Sequence, residues 1–146
     1  MFFGKKTATP DYAIQRSEAE WRASLPAAAY KVLREHGTER PHSSPLNAEK
    51  RDGIFACAGC GAPVFAADTK FESGTGWPSF TSPVEGNVGE TADNSLFMRR
   101  VEVHCAACGG HLGHVFPDGP EPTGLRYCIN GVSLTFRPEE GQQDDF

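Results

Sequence analysis

The chain has 146 residues, 38% of them apolar, with a formal net charge of -5 and a mean hydropathy of -0.43. This length suits one domain with its own core, small enough to gain from a metal staple. The acidic balance argues against a non-specific nucleic-acid binder, and no run approaches the roughly 20 apolar residues that span a bilayer.

Met1-Phe2-Phe3-Gly4-Lys5-Lys6 carries two lysines with no apolar stretch behind them, so no secretory signal is expected. Residues 1–16 show no periodicity and are expected to be flexible. Ser17-Glu18-Ala19-Glu20 reads as a capping box opening a short helix that carries Trp21 and Leu25 on one face. Pro26 fits the first turn of a second helix running to His36, with Gly37 placed to end it. Pro41 and Pro45 bracket a loop in which His42 is expected to face solvent.

From Gly53 the texture changes to short apolar runs separated by Gly, Pro, Asp and Asn. Ile54 to Cys57 and Val64 to Ala66 read as strands, and Asp93-Asn94 sits where Val88 to Ala92 and Ser95 to His104 would form a hairpin. Val132-Ser133-Leu134-Thr135-Phe136 alternates as a half-buried strand does. Pro138 to Phe146 is an acidic tail expected to be disordered. The expectation is a single domain over 17–137, mainly β and antiparallel, with short N-terminal helices.

The five cysteines divide into four and one. Cys57-Ala58-Gly59-Cys60 and Cys105-Ala106-Ala107-Cys108 are two matched knuckles, separated by 44 residues from Gly61 to His104. Four thiolates so arranged suit one tetrahedral zinc, closed to substrate and therefore structural. Two disulfides or two redox pairs are the other readings of the same spacing. Thiolates on zinc together with an unpaired thiol fit a reducing compartment, and the cytoplasm is expected.

Cys128 is the thiol left over, in Arg126-Tyr127-Cys128-Ile129-Asn130. If this segment is extended, Arg126, Cys128 and Asn130 share one face. A guanidinium or imidazolium nearby would lower the thiol pKa, and an amide could hold a substrate oxygen or orient a histidine. On the residues alone, a buried and inert cysteine remains an equal reading. His111-Leu112-Gly113-His114 is either a metal pair or a polar loop, and Gly113 argues against a helix-borne pair. In Ser73-Gly74-Thr75-Gly76-Trp77-Pro78-Ser79-Phe80, two glycines allow a tight turn that exposes Trp77 as a binding wall; plain core is the alternative.

Taken together, Gly74 to Phe80, His111 to Phe116, and Arg126 to Asn130 resemble the methionine-(R)-sulfoxide reductases. The likeness reaches back through Gly37-Thr38-Glu39-Arg40-Pro41 and both knuckles, covering about residues 17–137. It implies a β-tent of two antiparallel sheets with a structural zinc on Cys57, Cys60, Cys105 and Cys108, remote from the reaction site. It implies Cys128 as the attacking thiolate, His111 and His114 as groups that position and protonate the sulfoxide oxygen, Asn130 as support and Arg126 as thiolate stabiliser. Trp77 and Phe116 would receive the S-methyl group. The implied substrates are oxidised proteins carrying methionine-(R)-sulfoxide, in a protein-repair role, acted on by a monomer with no membrane or nucleic-acid partner.

One position departs from many relatives: Thr75 stands where they carry a resolving cysteine. With four thiols committed to zinc, the sulfenic acid on Cys128 is expected to be reduced by an external thiol, thioredoxin or a small one. Two other readings share these residues. A zinc-stapled module would bind a peptide in the same cleft, and a redox sensor would use the Cys128 sulfenic acid as its signal; neither would turn over sulfoxide.

Overall fold

The structure, a computed structural model, describes residues 12–94 and 99–139. Residues 1–11, in the segment expected to be flexible, and 140–146, in the tail expected to be disordered, lie outside the described residues, as do 95–98 in the expected hairpin.

Among the described residues, two short helices precede the strands. In α1 (Glu18–Ser24) the capping box is present in both directions: Glu20 N–H donates to Ser17 Oγ, and Ser17 N–H donates to the Glu20 carboxylate. Trp21 is the residue α1 buries, and the guanidinium groups of Arg16 and Arg34 lie over its ring at 4.8 and 4.5 Å. α2 (Ala27–Glu35) buries Ala29, Tyr30, Val32 and Leu33.

α2 stops one residue before the expected end. His36, and not Gly37, takes the left-handed conformation at φ 57°. The Gly37 N–H then bonds the Lys31 carbonyl at 3.0 Å, while the His36 ring lies 5.0 Å from the ring of His111. Tyr12 and Ile14 lie against the second knuckle. Ile14 N–H donates to Ala107 O at 2.9 Å, and the Tyr12 ring occupies the space a Cβ at Gly109 would need.

Among the described residues nine strands follow: β1 (Gly53–Cys57), β2 (Pro63–Ala66), β3 (Lys70–Phe71), β4 (Ser79–Phe80), β5 (Val88–Asp93), β6 (Arg100–Cys105), β7 (His111–Phe116), β8 (Arg126–Ile129) and β9 (Leu134–Pro138). They make two antiparallel sheets, β2-β1-β9 and β3-β4-β8-β7-β6-β5. The expected β5–β6 hairpin is formed, with Val88 opposite Cys105 and Asp93 opposite Arg100. Phe55, Phe65 and Phe80 are fully buried where the two sheets meet, and Phe65 stacks on Phe80 at 4.4 Å between centroids. Each such ring removed from water is worth about 1.5–3 kcal/mol.

The strand expected from Val132 begins two residues later. Gly131–Ser133 form a 3-10 turn, because their hydrogen-bonding groups are engaged elsewhere. The Glu39 carboxylate accepts the Gly131 and Val132 N–H groups at 2.8 and 2.9 Å, and the Ser133 hydroxyl donates to His111 O at 3.0 Å. Alternation resumes in β9, where Leu134 is buried and Thr135 exposed. This turn matters for the site, since it directly follows Asn130.

Candidate active site and metal centre

β8 carries the leftover thiol in the middle of the larger sheet. Its even-numbered face presents Arg126 and Cys128, while Tyr127 and Ile129 point into the core. Cys128 lies opposite Ser79 of β4 and His114 of β7. Directly opposed residues in an antiparallel pair have Cβ atoms about 4.5–5.5 Å apart, so the imidazole of His114 and the thiol share one patch. β7 can come this close because Gly113 has no Cβ; one there would collide with the Cys128 carbonyl oxygen. The glycine between the two histidines is thus a demand of the sheet.

A cavity of about 330 Å³ opens over this patch, lined by Thr38, Thr75, Trp77, Arg100, Gly113, His114, Phe116, Arg126, Cys128 and Asn130. Six of the residues expected in the site from sequence, Cys128, His114, Asn130, Arg126, Trp77 and Phe116, therefore meet in one place. His111 does not line it. His111 is 2% exposed and belongs to a neighbouring cavity that also contains His114. Its Nδ1 is 2.8 Å from Glu102 Oε2, and its ring meets that of His114 edge-on at 5.5 Å between centroids.

Carboxylates that sequence reasoning missed hold these groups in place. Asp93 Oδ2 is 2.7 Å from His114 Nε2. Asp118 grips Arg126 through two hydrogen bonds of 2.9 and 3.2 Å, and the Arg126 guanidinium lies 4.5 Å over the Phe116 ring. Glu39 supports three walls at once. Its N–H donates to Asn130 Oδ1 at 2.9 Å, its carbonyl accepts Trp77 Nε1–H at 3.1 Å, and its carboxylate caps the turn after Asn130. The available signal was in β6, where Arg100, Glu102 and His104 alternate with valines and so set a polar row on one face.

The Trp77 wall rests on a hydroxyl chain. Thr75 Oγ1 lies 2.9 Å from Ser73 Oγ, which lies 2.8 Å from Ser79 Oγ. Gly76 precedes Trp77 at φ 99°, a backbone that suits glycine, and its carbonyl accepts the His42 N–H. His42 itself is exposed, as expected.

Burial pushes the Cys128 thiol above its ordinary value, and the opposing pull of Arg126 and Thr75 does not overcome it. Burial likewise lowers His114 against the raising effect of Asp93, so at neutral pH its imidazole is uncharged. The free protein therefore holds a thiol and a neutral imidazole rather than an ion pair. The half-point of Cys128 alkylation by iodoacetamide, followed by peptide mass spectrometry across pH, is expected above the ordinary thiol value of about 8.5. A half-point near neutrality would contradict this picture.

The four knuckle thiols also meet. Cys57, Cys60, Cys105 and Cys108 form a cluster that could hold a metal ion. Cys57 Sγ lies 3.8 Å from Cys108 Sγ, and Cys60 Sγ lies 3.6 Å from Cys105 Sγ. A tetrahedron of 2.3 Å metal–sulfur bonds has edges of about 3.8 Å, whereas a disulfide needs about 2.05 Å. The Gly59 and Gly110 amides turn toward Cys57 and Cys108 sulfur at 3.3 and 3.4 Å, which suits thiolate ligands. The donor set therefore fits a closed four-sulfur metal site, joining the end of β1 to the β6–β7 connection.

A SelR domain matches residues 25–138. Over 128 residues the chain is 57% identical to a peptide methionine sulfoxide reductase MsrB of Methanosarcina mazei, covering 87% of this chain and 91% of that relative. It is 54% identical over 126 residues to an MsrB of Agrobacterium fabrum, covering 86% and 93%. It is 55% identical over 135 residues to an MsrB of Bradyrhizobium diazoefficiens, covering 92% and 97%. With the thiol, imidazole and indole gathered over one cavity and the knuckles closed on one point, the chain belongs to the SelR family, among the MsrB proteins.

Proposed function

We propose that this chain, as a peptide-methionine (R)-S-oxide reductase, repairs methionine-(R)-sulfoxide in oxidised proteins. The observation that supports it most is the placement of Cys128 opposite His114 in a cavity that Trp77 and Phe116 also line. A sulfoxide sulfur becomes a good electrophile when its oxygen gains a proton, so nucleophile and acid must flank one S=O bond.

In this reading the S-methyl group sits against Trp77 and Phe116, and the oxygen faces His114 and Asn130. Fixing methyl and oxygen at different walls admits one epimer of the pyramidal sulfur, the division of labour among these reductases. His114, neutral in the free protein, takes the thiol proton as Cys128 attacks and returns it to the departing oxygen, with Asp93 steadying the imidazolium. His111 and Glu102 hold His114 from behind, so the role assigned to His111 is positioning. Arg126, fixed by Asp118, stabilises the thiolate. The S–O bond breaks, the oxygen passes to Cys128 as a sulfenic acid, and the sulfide product is methionine.

Regeneration uses an external thiol, thioredoxin or a small one: two thiols become a disulfide, and the sulfenic oxygen leaves as water. Thr75, hydroxyl-bonded to Ser73, cannot form the disulfide that a resolving cysteine would. Zinc on the four knuckle thiols is structural here, and the protein works as a cytoplasmic monomer without nucleic-acid or membrane partners.

The test is dithiothreitol-driven reduction of racemic N-acetyl-methionine sulfoxide resolved by epimer, with the enzyme's mass taken after one turnover without reductant. Loss of the R epimer alone, with one oxygen gained on Cys128, is expected. No turnover by folded, metal-replete protein would leave the peptide-binding reading. A two-hydrogen loss with a Cys128 cross-link would overturn regeneration by an external thiol alone.

A further inference from the structure

Four of the five histidines of this chain, His36, His104, His111 and His114, gather where the end of α2 meets the β6–β7 pair. Three of them surround one carboxylate. Glu102 Oε2 lies 2.8 Å from His111 Nδ1 and 3.5 Å from His36 Nε2, and Glu102 Oε1 lies 3.4 Å from His104 Nδ1. We propose that His36, Glu102 and His111 form a second divalent-metal site, separate from the four knuckle cysteines, that takes zinc with two imidazoles, one carboxylate and water.

The geometry fits this donor set. Zinc bonds nitrogen and carboxylate oxygen at about 2.0–2.2 Å, so neighbouring ligand atoms in a tetrahedral site stand about 3.3 Å apart. The two ligand separations at Glu102 Oε2 bracket that value, and all three ligand atoms lie within 4.8 Å of one another. An open zinc site with two histidines, one glutamate and a water is a known arrangement. Glu102 Oε1 is already engaged by His104, the kind of outer contact that orients a ligating carboxylate.

The ligands come from three elements, and their accessibility differs in a useful way. Side-chain exposure is 3% at His111, 11% at Glu102 and 66% at His36. Two ligands are therefore buried within the fold, and the third is an exposed side chain on the solvent side. His36 reaches this position because it takes the left-handed turn at the end of α2 that the neighbouring Gly37 would occupy more cheaply.

The cavity that contains these three residues measures about 520 Å³ and has room for the water ligand. Its other charged groups are Asp93, which also pairs with His114, and Arg100, which lies 3.4 Å from Asp93. It shares Thr38, Arg100 and His114 with the Cys128 cavity, so the ion would lie behind the wall of the reaction site.

The experiment is calorimetric titration of Zn²⁺ into protein already loaded at the knuckles, in a Cys128→Ser background so that the reactive thiol cannot supply a ligand. One further equivalent of zinc is expected. His36→Asn, which keeps a residue tolerant of the left-handed turn, and Glu102→Gln, which keeps the side-chain shape, should each weaken it by more than about 100-fold, since even outer contacts to a ligand are worth about 10–100-fold. His42→Asn, altering the exposed loop histidine, should leave it unchanged. Absence of a further equivalent would overturn the proposal, as would its survival in both His36→Asn and Glu102→Gln.

Discussion

Cys128→Ser is expected to remove sulfoxide reduction altogether while leaving the fold intact. Loss of a nucleophile that works as a unit with its acid–base partner costs on the order of 10⁴-fold or more in kcat. Serine is close in size, and Cys128 is only half-buried, at a position whose backbone is fixed by pairing with both β4 and β7. The thermal midpoint should therefore move little. The measurement is epimer-resolved turnover beside a melting curve. Residual activity within tenfold of wild type would mean that another group attacks sulfur. A large fall in melting temperature would instead show Cys128 to be a packing residue, the alternative that its sequence leaves open.

The second large effect concerns stability. Removing the metal from the four-cysteine site, or replacing Cys57 with serine, is expected to unfold the domain at physiological temperature. Binding to a structural four-ligand site contributes about 10–16 kcal/mol of apparent free energy in small domains, comparable with the whole stability of a domain this size. Cys57, Cys105 and Cys108 are each at most 2% exposed, so an unmetalled cluster would also leave thiols packed against one another in the core. A fall of at least about 10 °C in the melting temperature is expected, with loss of one metal equivalent. An unchanged midpoint in a metal-free sample would contradict the assignment. The N-terminal segment shares in the loss, because Arg34 donates to the Cys108 carbonyl at 3.1 Å and Trp21 lies where a Cβ on Gly59 would touch it.

Features set by neighbours in sequence were legible before the structure. The capping box at Ser17 and Glu20 needs only local geometry, and the two knuckles declare their ligands by spacing. The shared face of Arg126, Cys128 and Asn130 follows from the period of a strand. What escaped were partners that only tertiary pairing supplies. Nothing in the chain announces that Asp93 would hold His114 across 21 residues, or that Glu39 would reach Asn130 across 91. His111 looked equivalent to His114 because the two lie in one motif. A register shift between Val103 and His104 in the facing strand accompanies their division, with His111 set beside Glu102. Val132 and Ser133 alternate convincingly, yet Glu39 and His111 capture their polar groups before a ladder can. The left turn at His36 was masked by the adjacent glycine, which offers the same backbone at lower cost.

The smaller sheet has a consequence for the order in which the protein can be made. β1 is its central strand and pairs with β9, so Gly53 meets Pro138 and Cys57 meets Leu134. On the ribosome both knuckles emerge before Cys128 does, so a metal ion can be captured by its four sulfurs while the reactive thiol is still unavailable to compete. The central strand must then wait, with one edge unpaired, until almost the last residue of the domain has been synthesised. Pairings between such distant segments are slow to form, so premature termination just ahead of Leu134 would yield a chain that carries metal, nucleophile and substrate walls together and still lacks the strand that closes its smaller sheet.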